Sequence, residues 1–138
     1  MVDGVNHSPE IDSASGDIYI SRTLNRNDRA VSEDDFLESF SIAVVLAEPG
    51  GGKTKFLERL ARRTGSQIIR ASRFRYVAGK PVSNTLIIDG MDEVARQNPE
   101  ALKEIISKAS DSNSKRVVFA CRSGIWDSSE TRFLRDCF

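Results

Sequence analysis

Apolar positions along this chain fall into two patterns, and the two alternate. Short unbroken runs occur at 41–46 (SIAVVL), 67–71 (QIIRA), 85–88 (TLII) and 116–121 (RVVFAC). Runs of this length and β-branched character read as strands buried on both faces. Between them, apolar residues recur every three or four positions, the spacing of one helix face. From Thr54 to Arg63 that face holds Phe56, Leu57, Leu60 and Ala61, and Gly65 is placed to end the helix. A second helix is expected near Met91. A third starts at Asn98, Pro99 and Glu100 and turns Leu102, Ile105, Ile106 and Ala109 inward. Strands and helices in this order predict an α/β fold with a mostly parallel sheet, right-handed crossovers and four core strands.

Upstream of residue 41 the pattern weakens. Residues 1–16 are polar and read as a disordered tail, and 17–40 as an arm followed by a helix. Asp17 to Leu24 (DIYISRTL) alternates like a short strand or extended arm. Val31 to Phe40 has helical spacing, with Ser32 as cap, Asp34 and Asp35 in its first turn and Phe36, Leu37 and Phe40 on its apolar face. Ser72 to Asn84 reads as a polar, basic loop. No internal repeat interrupts the core region, 41–138.

A chain of 138 residues suits one domain with a real core. Its formal charge is zero, but the distribution is uneven. Residues 1–40 hold nine acids and three bases, whereas 41–138 hold eleven acids and seventeen bases. The core is therefore the basic part, which suits a polyanionic ligand. Those bases are scattered rather than gathered into a stripe, so nucleic acid is not the expected partner. Cys121 and Cys137 form neither a disulfide framework nor a metal-ligand spacing, and Cys121 ends an apolar run as a buried thiol. His7 lies in a polar segment and reads as solvated. No apolar stretch is long enough to span a bilayer and the acidic start is unlike a signal peptide, so no membrane partner and a cytoplasmic location are expected.

Chemistry concentrates in two segments. Ala47 to Thr54 reads AEPGGGKT, the phosphate-loop pattern with Ala47 in place of the usual first glycine. Inward-pointing backbone N–H groups wrap a polyphosphate without many cationic side chains. Gly50, Gly51 and Gly52 permit the curvature, Pro49 stiffens the entry, and Glu48 and Lys55 flank the loop. Lys53 is expected to reach the β- and γ-phosphates. Thr54 is expected to offer its hydroxyl to Mg²⁺ at a helix start whose dipole favours anions. A strand runs in and a helix runs out, the context that gives the motif meaning.

The second segment, Leu86 to Glu93, reads LIIDGMDE. Asp89 ends a strand, where open α/β sheets place ligand-binding residues, and is a candidate Mg²⁺ ligand with Thr54. Asp92 and Glu93 follow within one turn, in reach to orient or deprotonate an attacking water. The alternative is that these acids only favour the start of the helix near Met91. Arg122, at the end of the last strand, is placed to meet a γ-phosphate and stabilise charge in phosphoryl transfer. Its alternative is a surface pair with Asp127 or Asp136.

Together AEPGGGKT, LIIDGMDE and the Arg-Ser ending of VVFACRS resemble the NACHT class of STAND NTPases, over about Tyr19 to Trp126. The Asp-Gly-x-Asp-Glu form carries most of that resemblance, and the arm YISRTL adds to it. The resemblance implies a P-loop NTPase three-layer sandwich that binds ATP with Mg²⁺, hydrolyses it slowly, self-associates and drives a fused or partner sensor and effector domain, in bacterial members for antiphage defence. Position by position it makes Lys53 and Thr54 the Walker A pair, Asp89 the Walker B aspartate, Asp92 and Glu93 the acidic pair, and Arg122 the sensor arginine. It also implies an adenine-side contact near Arg22. Lys55 departs from the family's common Ser or Thr. The expected core is incomplete, because a fifth strand and the helical and winged-helix regions of the family are not in this chain. Two functions stay open: an ATPase switch core, or a nucleotide-binding or oligomerisation module without useful hydrolysis. A nucleotide kinase or GTPase fits less well, since neither an acceptor lid nor an Asn-Lys-x-Asp element occurs.

Overall fold

A computed structural model describes residues 3–11, 18–26, 29–32, 40–48, 52–78 and 83–138, the first three segments as backbone only. Those three segments form an antiparallel sheet in the order β1 (Asp3–Ile11), β2 (Ile18–Arg26) and β3 (Arg29–Ser32). The expected disordered tail is therefore a strand over most of its length. β2 matches the expected arm. The helix expected from Val31 begins instead as strand at Val31 and Ser32, and residues 33–39 lie outside the described residues.

The remaining strands are β4 (Ile42–Ala47), β5 (Ile68–Arg70), β6 (Thr85–Asp89) and β7 (Arg116–Arg122). They form one parallel sheet in the order β4-β7-β6-β5. Among the described residues five helices accompany the strands: α1 (Lys53–Thr64), α2 (Ala71–Phe74), α3 (Met91–Gln97), α4 (Ala101–Ser110) and α5 (Ser128–Cys137). The chain is thus α/β, as its patterning predicts. α2 begins on Ala71, the last residue of the expected second strand, and runs into the segment expected as loop, and α5 is an additional element. None of the described helices is long and apolar enough to cross a membrane.

Alternation along each strand sends neighbouring side chains to opposite faces. Ala43, Val45, Ile87, Val118 and Ala120 pack against Phe56, Leu57, Leu60 and Ala61 of α1. Val44, Leu46, Leu86, Ile88, Val117 and Phe119 pack on the other side against Phe74 of α2, Met91 of α3 and Leu102, Ile105 and Ile106 of α4. Both faces are covered, which is why the strands read as unbroken apolar runs rather than as alternating ones. Each fully buried Leu, Ile or Phe here contributes about 1.5–3 kcal/mol.

Register fixes where the chemistry lies. Ala47 pairs with Arg122 and Arg70 with Asp89, while Ile88 pairs with Phe119, so the four strands end in a staggered row along one edge of the sheet, β4 and β7 running two residues beyond β5 and β6. Open parallel sheets present ligand-binding residues along that edge.

Candidate functional site

α1 starts at Lys53 beside this row. Its N-cap is Gly52 at φ 76°, a left-handed conformation that costs a residue with a Cβ about 1 kcal/mol or more. No side chain caps the helix and its first turn holds no acid. The positive dipole end of α1 therefore faces the cavity without an acid of its own first turn.

Lys53 turns from this helix toward the acids. Its Nζ lies 3.1 Å from Asp89 Oδ1 and 4.0 Å from Asp92 Oδ1. The Asp89 carboxylate also accepts from the Gly90 backbone N–H at 2.8 Å. Gly90 adopts φ 80° and serves as the N-cap of α3, so Asp92 and Glu93 fall in that helix's first turn. Their charges suit the helix start, and both also reach past it. Asp92, only 4% exposed, meets Arg122 Nε through Oδ2 at 3.4 Å. Its Oδ1 is buried without a hydrogen-bond partner. Glu93 accepts from Arg70, which holds its carboxyl below the usual glutamate range and raises the guanidinium in return. At the opposite end of the row, Ser123 Oγ donates to Glu48.

One open cavity of about 420 Å³ gathers these groups. Of the expected residues, Glu48, Gly52, Lys53, Thr54, Lys55, Asp89, Asp92, Glu93 and Arg122 all line it. Pro49, Gly50 and Gly51 lie outside the described residues. Lys55 also pairs with Glu58 of its own helix at 3.5 Å, on the exposed side. Arg122 lines the cavity and pairs with Asp92.

Arg70 is the residue that motif reasoning missed. It ends β5, lines the cavity, and contacts Asp89 Oδ2 at 3.3 Å as well as Glu93. The available signal was positional: an arginine closing the strand QIIR, at the sheet end where Asp89 closes another. Cys121, by contrast, lies under the row. Burial pushes its thiol up to about 12, and the nearby Asp92 charge adds to this, which favours the protonated thiol over the thiolate.

Oxygen donors at this spot suit Mg²⁺, which takes one or two carboxylates and completes its shell with water and phosphate. Asp89, the Asp92 Oδ1 that lacks a hydrogen bond and the exposed Thr54 hydroxyl at the rim supply that chemistry. Among the described residues no group of three or more His, Cys, Asp or Glu forms a metal cage, and Mg²⁺ of this kind requires none. No protein-family model, curated protein or solved structure matches this chain.

Proposed function

We propose that the cavity binds ATP with Mg²⁺ and that the chain is the nucleotide switch core of a NACHT-class STAND protein, built on the P-loop NTPase variant of the α/β sandwich. One observation carries this reading. The N-terminus of α1, bare of acids and side-chain caps, opens onto the cavity where Lys53 meets Asp89 and Asp92 across the intervening strand β7.

In this reading the leading amides of α1 bind phosphate oxygens, and Lys53 exchanges its carboxylate partners for the β- and γ-phosphates. Thr54 and Asp89 hold the metal. When bound, Mg²⁺ neutralises charge on the phosphate oxygens. Asp92 and Glu93 orient a water and accept its proton, while Arg122 stabilises the charge spread over the transferring group. Self-association, fused or partner sensor and effector domains, a role in defence and a cytoplasmic location belong to the same proposal through the family resemblance.

A binding module without useful turnover is the second reading, and Arg70 favours it. By holding Glu93 ionised and less basic, it makes that carboxylate a poor proton acceptor.

The test is binding of fluorescent ATP with Mg²⁺ to the wild-type chain and to Lys53→Ala, with phosphate release followed in the same samples. Binding abolished by the substitution supports the site, and release alongside it supports the ATPase. Binding without release selects the module. Equal binding by the two proteins removes the nucleotide reading.

A further inference from the structure

Arg70 joins the two acidic parts of the site. β5 ends on it, in register with Asp89, and α2 starts at the next residue, the fully buried Ala71, so its backbone is anchored on both sides. From there Nη1 reaches Asp89 Oδ2 at 3.3 Å and Nη2 donates to Glu93. Between the two contacts the guanidinium passes over Gly90. A Cβ on Gly90 would stand 3.0 Å from Nη2 and 3.1 Å from Cζ. One cation thus holds two carboxylates across a glycine where a Cβ would press against the guanidinium.

Asp89 consequently has both oxygens engaged. Oδ1 faces Lys53 and the Gly90 N–H, and Oδ2 faces Arg70. A nucleotide's phosphates compete for Lys53, but they leave Arg70 in place. A divalent cation that uses Asp89 must therefore displace a guanidinium or work against its charge.

We propose that Arg70 is a positioning residue for the divalent cation. It occupies Asp89 Oδ2 until the cation arrives and then stays with Glu93, so that its charge sets the Mg²⁺ concentration at which nucleotide is held. This rests on the nucleotide reading above. Around the cavity Lys53, Lys55, Arg70 and Arg122 face Glu48, Asp89, Asp92 and Glu93, four charges against four. Removing the Arg70 charge leaves the cluster negative and favours a cation.

The experiment titrates Mg²⁺ against binding of a fluorescent ATP analogue to the full chain, comparing wild type with Lys53→Ala, Arg70→Gln, Arg70→Lys and Glu93→Gln. Arg70→Gln is expected to lower the Mg²⁺ midpoint roughly three- to tenfold. Arg70→Lys, which keeps the charge, should stay near wild type. Glu93→Gln frees Arg70 for Asp89 and should raise the midpoint. A merely structural role would loosen the site and raise the midpoint in both Arg70 variants. A midpoint unmoved or raised by Arg70→Gln, or lowered by Glu93→Gln, overturns the assignment while the nucleotide site stands. Equal binding by wild type and Lys53→Ala removes the nucleotide reading, and the role of Arg70 falls with it.

Discussion

Arg122 and Asp92 come from different elements, the end of β7 and the first turn of α3, and meet with Nε 3.4 Å from Oδ2. Asp92 is buried and its other oxygen has no hydrogen-bond partner, so this contact and the more distant Lys53 are what balance its charge. Arg122→Ala should therefore destabilise the fold by about 1 kcal/mol, the half-exposed arginine limiting the loss. Adding Asp92→Asn should return part of it. Chemical denaturation of the two single variants and the double variant measures the coupling, and strict additivity would show that the pair is not energetically linked.

Gly90 is constrained twice, by a φ of 80° and by the guanidinium of Arg70, whose Nη2 would lie 3.0 Å from a Cβ there. Gly90→Ala should cost about 1–3 kcal/mol. Arg70→Ala in the same chain should remove the steric part and leave the backbone part. Thermal unfolding of the three variants separates the two contributions, and an unchanged Tm for Gly90→Ala would contradict the geometry at this turn.

The Cys121 thiol, pushed up to about 12 first by burial and then by the Asp92 charge, is held neutral in the folded chain against an ordinary value of 9.0. A raised pKa of this kind contributes stability that is full below the unfolded value and is lost as pH rises toward the folded one. Wild-type stability should thus fall above about pH 9 more steeply than that of Cys121→Ala. Urea melts at pH 8 and pH 10 give the comparison; parallel losses in the two proteins would rule out a contribution from this thiol.

Much of the core was legible because a sheet covered on both faces leaves its strands as apolar runs, as in VVFAC or TLII. α1 was legible too, since Phe56, Leu57, Leu60 and Ala61 repeat at helical spacing and Gly65 ends the helix with φ 66°. α2 was hidden in ASRF. At four residues it is too short to show a period, and its structure depends on Ala71 and Phe74 being buried by other elements. α5 did carry a local signal. Asp127 accepts from the Ser129 N–H at 2.7 Å, and Glu130 accepts from the Asp127 N–H at 3.0 Å, a capping box written in the sequence three residues apart. β1 pairs through its backbone with β2, and backbone pairing leaves little trace in a polar string such as DGVNHSPEI.

The site divides along the same line. Lys53, Asp89, Asp92 and Glu93 are close in sequence within their motifs and were found there. Arg70 precedes Asp89 by nineteen positions and reaches it only because β5 and β6 are neighbours. Strand order is a property of the whole sheet, and no local window contains it.

That edge row has a further consequence for folding. β5, β6 and β7 end on Arg70, Asp89 and Arg122, and β4 leads through Ala47 toward the helix bearing Lys53. Sliding β5, β6 or β7 by a single residue would turn its terminal side chain to the opposite face and strand the charges it now balances. The cavity is therefore also a proofreader of the sheet: only a chain with all four strands aligned can close the circuit of charges around it.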